Sequence, residues 1–394
     1  MHLVIVSPFP PAITGIGQYG YHVTRAFATS GAFSRVTVLA GSQVNGTAPN
    51  HLGRTEIDYC WRPSQWNARP AILSRVKSLN PDLVWFNLGA SIFGKSPWLN
   101  VSGLLTPMIV QSWGYPTVTT LHELVELTDL RALDAPGGQL APLGARLLTS
   151  LTTRADVLCL TMRHYVEWLS ARQVDCAHIP IGAYHEPELL AEADVPELLF
   201  FTTLAPFKGL EILLEAFCRL RKQHPRLRLT VAGTDHTRFP EYGRDLKARF
   251  SHTKNVHWLG QVAEENVKDL FRRAQIVLLP YTASTGSSSV LYQAATWGRA
   301  VVASDLSEIR KLADEGDLQV EFFRSGNIRG LCNAIESLLC SRARRLQQAL
   351  HNFQAIQSTR PGETCRKYLH AFNRALEKRA IPKRIEIPSV EIPA

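Results

Sequence analysis

Short apolar runs alternate with longer amphipathic segments along almost the whole 394-residue chain, and that alternation restricts the fold more than any other feature. The runs at 3–6, 36–40, 83–86, 117–121 and 157–160, then 198–203, 227–232, 256–259, 276–280, 301–304 and 319–323, are rich in Val, Ile, Leu and Phe. Such continuous runs predict strands buried on both faces. The segments between them read as helices: over 209–222, Leu210, Leu213, Leu214, Phe217 and Leu220 hold one face. Strands alternating with helices imply α/β architecture, with parallel, doubly wound sheets covered on both sides.

The alternation pauses at 179–199, which carries Pro180, Pro187, Pro196 and Gly182 with a local acidic bias. The chain is long enough for two cores. We therefore expect a Rossmann-like domain over 1–182, a linker over 183–196 and a second Rossmann-like domain over 197–341. Helices over 342–379 would cross back between the domains, and 380–394 would be a loose tail. Two such sheets would face a cleft with their strand ends, where open α/β sheets bind ligands.

Hydrophobic content of 45% with 20% charged residues is that of a globular chain. No run reaches the roughly 20 apolar residues of a membrane span. The N-terminus has no basic region ahead of an apolar one, and the 7 cysteines form no C-x-x-C pair. Reduced thiols in a cytoplasmic protein are the expectation. The net charge of +9 suits an acidic partner: nucleic acid, a phosphorylated substrate or the anionic inner face of a membrane, contacted peripherally. There is no basic run interleaved with aromatics and no zinc-finger spacing, so no nucleic-acid partner is expected.

Gly15, Gly17 and Gly20 carry the spacing G-x-G-x-x-G of a dinucleotide site. Such a site needs its first glycine close to the strand end and an acid about 20 residues later for the ribose. Here Ser7 to Thr14, with prolines at 8, 10 and 11, intervene, and no Asp or Glu precedes Glu56. A dinucleotide is thus disfavoured. Read alone, the glycines serve equally as turn geometry or as a helix start that receives another anion.

The second half supplies the context. "LAPFKGLEILLEAF" at 204–217, "LTVAG" at 229–233, "VHWLGQV" at 256–262 and "AQIVLLPYTASTGSSSVLYQAATWGRAVVASDLSEI" at 274–309 occur in a characteristic order. With "PPAITGIGQY", "TLHEL" and "IPIGA" from the first half, the chain resembles family 4 of the retaining, nucleotide-sugar-dependent glycosyltransferases, which have the GT-B fold. The resemblance implies acceptor binding by the N-terminal domain and nucleotide-sugar binding by the C-terminal one. The diphosphate would reach the loop of Gly15, Ile16 and Gly17. Lys208 falls on the family's phosphate-binding lysine, where a cation could neutralise charge on a departing nucleoside diphosphate.

The chain also departs from the family. Thr203 stands where an arginine usually pairs with the lysine. The hallmark pair of glutamates, separated by seven residues, is replaced by Thr285 and Gln293. Gln293 retains hydrogen-bonding groups for ribose hydroxyls. Gly286, Ser287, Ser288 and Ser289 should open the next helix, where N–H groups and hydroxyls could receive a diphosphate or sugar, or act only as a cap and turn.

His122, at the end of the strand "TVTTL", is implied by the resemblance as a residue touching the donor sugar. Glu123 beside it is a candidate for hydrogen bonding to acceptor or sugar. No D-x-D and no His/Cys ligand cluster appears, and the family generally works without a metal; neither metal nor cofactor is expected beyond the donor. From Ser96 to Leu121 no charged residue occurs. This is either a buried helix and central strand or a surface on which Trp98, Leu104, Leu105 and Trp113 meet an acceptor or lipid.

The leading expectation is a retaining hexosyltransferase acting on a polysaccharide, glycan or lipid-linked acceptor. The missing glutamates keep open a noncatalytic GT-B partner subunit, and a nucleotide-sugar epimerase is the third alternative.

Overall fold

The computed structural model describes residues 1–12, 14–41, 50–127, 141–284 and 286–387. The chain forms two compact units: the first takes the described residues up to Tyr184 and from Pro361 onward, the second is His185–Arg360.

In the first unit, β1 (His2–Pro8), β2 (Arg35–Gly41), β3 (His51–Leu52), β4 (Thr55–Trp61), β5 (Leu83–Leu88), β6 (Thr117–Leu121), β7 (Val157–Leu160) and β8 (Cys176–His178) form an 8-stranded sheet. Its order is β3, β4, β2, β1, β5, β6, β7, β8, with β3 antiparallel to β4 and the other neighbours parallel. The helices are α1 (Gly15–Thr29), α2 (Ala68–Leu79), α3 (Pro97–Leu104), α4 (Thr106–Ser112), α5 (Ala141–Thr152) and α6 (Arg163–Ser170). The chain runs from β1 to one side of the sheet and returns on the other side as β5, so the strand order reverses between β1 and β5. That crevice, at the C-terminal strand ends, is where open α/β sheets bind ligands.

The apolar runs of this unit fall on buried strands as expected. In the second unit the runs at 256–259 and 319–323 do not, for the strands Val256–Gly260 and Glu321–Phe323 lie at the two sheet edges, the first with no buried residue and the second with only Phe323 buried. The elements β3, β4 and β8 were not anticipated. In β4, Glu56 and Asp58 alternate with buried Thr55 and Ile57 and pair with Arg35 at 2.7 Å and Arg75 at 2.5 Å. This is a partly wet strand near a sheet edge, without the continuous apolar signature.

In the second unit, β9 (Glu197–Phe201), β10 (Arg228–Ala232), β11 (Val256–Gly260), β12 (Ile276–Leu279), β13 (Ala300–Ser304) and β14 (Glu321–Phe323) form a parallel sheet in the order β11, β10, β9, β12, β13, β14. Helices α7 (Leu210–Gln223), α8 (Tyr242–Arg249), α9 (Glu264–Arg273), α10 (Ser289–Thr296), α11 (Ser307–Glu315), α12 (Ile328–Leu339) and α13 (Arg342–Ile356) cover it. One core gathers Leu213, Phe217 and Leu220 of α7 with Leu331, Ile335 and Leu338 of α12 against Leu198, Val231 and Leu278 of the sheet. The order reverses between β9 and β12. The strand expected over 198–203 ends at Phe201, which places Thr202 and Thr203 in the loop beyond it.

The last helix, α14 (Pro361–Lys378), belongs to the first unit and packs on α1, β6 and β7. Its end is tied down by Lys378, 2.7 Å from Asp175, and Arg379, 2.9 Å from Asp156. The expected loose tail is corrected over its described part. Ile385 is buried, and its backbone N–H and C=O make hydrogen bonds of 2.8 and 2.9 Å with the amide of Asn373.

Candidate active site

In the first unit the glycine turn starts α1 beside the β1/β5 crevice. Thr14 caps the helix, its Oγ1 accepting the Gly17 N–H at 2.9 Å, so this N–H is not open to an anion as the sequence suggested. Gly15 and Ile16 remain at the helix start. A Cβ on Gly15 would meet nothing within 4 Å, whereas one on Gly20 would lie 2.4 Å from Ser7 Oγ and 2.8 Å from Asn87 Nδ2. The third glycine is thus required by packing of α1 on the sheet; the first borders open space. At the end of β2, a Cβ on Gly41 would strike the buried ring of Trp61 at 2.4 Å. Trp61 fills the place where a dinucleotide's ribose acid would stand.

His122 follows β6 and is buried. Its Nε2 lies 2.7 Å from Asn87 Oδ1, while Asn87 Nδ2 donates to Ser7 Oγ and to the Ile16 carbonyl, both at 2.9 Å. With the amide group oriented by those two acceptors, its oxygen must accept from His122. The imidazole is therefore the Nε2–H tautomer, with its lone pair on Nδ1. Burial lowers its pKa to about 3, so it is neutral at pH 7. Asn87, lying within an apolar strand and far in sequence from any motif, links the glycine turn to His122 and was not legible in the sequence.

The imidazole also meets the Tyr19 ring in a T-shaped contact, ring centroids 4.8 Å apart. Tyr19 is in turn fixed by a buried hydroxyl chain: its OH is 2.7 Å from Tyr368 OH, which is 2.8 Å from Thr120 Oγ1, which accepts from Trp85 Nε1 at 2.9 Å. Residues 349 positions apart thereby brace one ring.

Glu123 Oε1 accepts the Ala90 N–H at 2.9 Å, holding the loop after β5. Trp98 stands 73% exposed at the start of α3, and Trp113 is 37% exposed with Lys77 Nζ 4.5 Å from its ring centroid. Leu105 is half-buried, but Leu104 is only 2% exposed and belongs to the interior, which corrects the expectation that it lines a surface with the tryptophans.

In the second unit, loops from three neighbouring strands converge at the β9/β12 reversal. The loop after β9 carries Thr203 and Lys208. A Cβ on Gly209, at φ +71, would lie 1.8 Å from the Pro280 carbonyl oxygen, and one on Gly233, at φ +138, would lie 1.9 Å from that of Thr202. Only glycine permits both approaches. The loops are further stitched by Thr282 N–H to the Phe207 carbonyl, 2.9 Å, and Leu204 N–H to that of Thr234, 2.8 Å.

Lys208 Nζ is held 4.0 Å from the centroid of the Tyr281 ring. His236, from the loop after β10, packs against Phe207; burial, then the positive charges of Arg238 and Lys208, lower its pKa. The structure therefore gathers a half-buried cation, a tyrosine face and an imidazole at one crevice. Neither Tyr281 nor His236 was singled out from the sequence.

Gly286 adopts φ +70, Ser287 and Ser288 follow, and α10 begins at Ser289 as expected. Ser288 holds the N-cap position without a side-chain cap bond. Gln293 is buried on α10. Thr285 lies outside the described residues.

Residues 195–341, within the second unit, match the family described as glycosyl transferases group 1. That segment is a group 1 domain. Its curated relatives include a phosphatidyl-myo-inositol mannosyltransferase of Mycolicibacterium smegmatis, 27% identical over an alignment of 225 residues that covers 54% of this chain. The match spans about half the relative's length, 53%. The fold is GT-B. The sucrose-phosphate synthase of Thermosynechococcus elongatus aligns with 96% of this chain and 100% of its own at a TM-score of 0.73 and 16% identity. The Anabaena protein HepE, solved in complex with UDP-glucose, aligns over the same shares at 0.68 and 16%. Within the group 1 domain lie the Lys208 crevice, the Gly286 turn and Gln293.

Proposed function

We propose that the protein is a retaining glycosyltransferase that moves a sugar from a nucleoside-diphosphate sugar to a hydroxyl of a polysaccharide, glycan or lipid-linked acceptor. The observation that carries the reading is Lys208, seated over Tyr281 at the strand-order reversal of a group 1 domain. A cation there offsets the charge that grows on a departing diphosphate, a task this reading gives to Lys208 rather than to a metal. The turn at Gly286 to Ser289 adds N–H and hydroxyl donors at a helix start, and buried Gln293 meets the ribose. The UDP-glucose complex of the Anabaena neighbour supports a nucleotide-sugar donor. The name of the M. smegmatis relative supports the lipid-linked option among acceptors.

In the first unit, Gly15 and Ile16 offer N–H groups to the same class of anion. His122 offers Nδ1 as an acceptor to a sugar hydroxyl without bringing a competing positive charge. With the hallmark glutamates replaced, no carboxylate at those positions acts as nucleophile. The acceptor oxygen attacks the anomeric carbon from the side that the diphosphate leaves, and a leaving-group oxygen takes the acceptor proton. Retention of configuration follows.

A panel of UDP-, GDP-, ADP- and dTDP-sugars, assayed by calorimetry and by mass spectrometry for slow donor hydrolysis, tests the reading. One donor should bind, and Lys208→Ala should lower its turnover by about 10²-fold or more. Unchanged turnover in that variant removes Lys208 from the role. A folded protein that binds none of the panel points instead to a noncatalytic GT-B subunit.

A further inference from the structure

Folding of the second unit brings together three side chains with metal-ligand chemistry, one from the end of α7 and two from the end of α12. Helix α7 ends at Gln223, and His224 is its C-cap, with φ −120 and ψ 74 breaking the helix. Helix α12 carries Glu336 in its last turn, and Cys340, one turn further on, is its C-cap, the Cys340 N–H bonding to the Glu336 carbonyl at 2.9 Å. Because α7 and α12 share one core, the imidazole meets this helix end: His224 Nε2 is 3.5 Å from Glu336 Oε1. One ligand atom of each of His224, Glu336 and Cys340 lies within 4.8 Å of the others.

A second observation points the same way. His224 Nε2 is shielded from solvent and makes no hydrogen bond, for the carboxylate beside it is not placed to accept one. A buried nitrogen in this state is costly unless something else satisfies it.

We propose that His224, Glu336 and Cys340 form a binding site for a divalent cation of Zn²⁺ type. The set is one nitrogen, one carboxylate and one thiol, which suits a borderline-soft ion and not Ca²⁺ or Mg²⁺, whose ligands are oxygens. Zinc–ligand bonds of about 2.0–2.3 Å in a tetrahedron place neighbouring ligand atoms roughly 3.3–3.8 Å apart. The His224 to Glu336 separation of 3.5 Å falls within that range. Cys340 is exposed at the helix end, so its side chain has room to close the remaining distance. Binding deprotonates the thiol, releases that proton to solvent and forms the Zn–S bond, with water as fourth ligand.

The ion would clamp the C-terminal ends of α7 and α12. A helix of 14 residues spans about 21 Å, and Lys208 lies just before the other end of α7. The site is therefore stabilising and remote from donor chemistry.

The test uses the full chain with reduced thiols. Titration with Co²⁺ should raise a thiolate-to-cobalt charge-transfer band that Zn²⁺ abolishes, and Zn²⁺ should raise the melting temperature. Cys340→Ser should remove the band, while His224→Ala and Glu336→Gln should each weaken Zn²⁺ binding by about 100-fold or more. Three results overturn the site: no band and no thermal shift in the wild type, a band that survives Cys340→Ser, or affinities unchanged in the His224 and Glu336 variants.

Discussion

Replacing Asn87 by alanine tests the geometry of the first unit at its most connected point. Asn87 is 0% exposed and serves three groups: Ser7 Oγ, the Ile16 carbonyl and His122 Nε2–H. Two of them keep other partners. Ser7 Oγ still donates to the Pro8 carbonyl at 2.7 Å, and the Ile16 carbonyl sits inside the first turns of α1. His122 Nε2–H does not, and stranding a buried donor costs about 1–3 kcal/mol. The lost amide volume adds about 1 kcal/mol at most. The expected loss is therefore about 1–4 kcal/mol, a fall of roughly 2–15 °C in the melting of a unit this size. Urea denaturation measures the first figure and calorimetry the second. Turnover should fall while donor affinity in the second unit stays near wild type. Asn87→Asp separates orientation from polarity: its carboxylate can still accept from Nε2–H, but a buried anion beside the imidazole raises its pKa. Nitrogen-15 spectra that place the His122 proton on Nδ1 in the wild type, or an alanine variant within about 0.5 kcal/mol of wild type, would refute the assignment.

Two further outcomes follow from the same structure. His122 has a folded pKa of about 3 against 6.5 unfolded, so below pH 6.5 the unfolded chain binds the extra proton. Its contribution is present at neutral pH and drains away as pH falls toward about 3, at up to ~1.4 kcal/mol per pH unit; urea titrations of wild type and His122→Gln at several pH values should differ by this slope, and parallel curves would mean that His122 is not held neutral. Trp98, with Leu143 and Leu147 on α5, is exposed on the first unit, and a peripheral contact with an anionic membrane is testable there. The protein should co-sediment with anionic liposomes at low salt, and complete recovery in the supernatant removes that contact.

How far the sequence reaches depends on what each feature needs. Strands such as β1, β5, β6 and β12 are buried on both faces, so they need apolar residues at every position, and the runs are visible without a structure. The wet-edged β4 and the short β8 lack that signature and emerge only from pairing with their neighbours. Lys208, His122 and the glycine turns could be singled out because the family resemblance ties those residue types to strand ends in a set order, and the structure places Lys208 and His122 just beyond strand ends; their roles rest with the proposed function. Glycine's role is legible only as a class, since packing is what separates Gly20, pressed on Ser7 and Asn87, from Gly15, which borders open space.

The remaining parts depend on contacts that no local pattern encodes. Asn87 is a polar residue in an apolar strand until its amide is seen joining α1 to His122. Tyr368 is one aromatic among several on α14 until its hydroxyl reaches Tyr19. Glu336 and Cys340 stand four residues apart at one helix end, but His224 shows no spacing to them, because a second helix must pack before its side chain converges with theirs. Chain chemistry selects two parallel α/β sheets and the residue types at their strand ends. Hydrogen-bond direction, tautomer and the approach of His224 to Glu336 are set by side chains brought within a few ångströms across the core, and those arise only once the layers have packed.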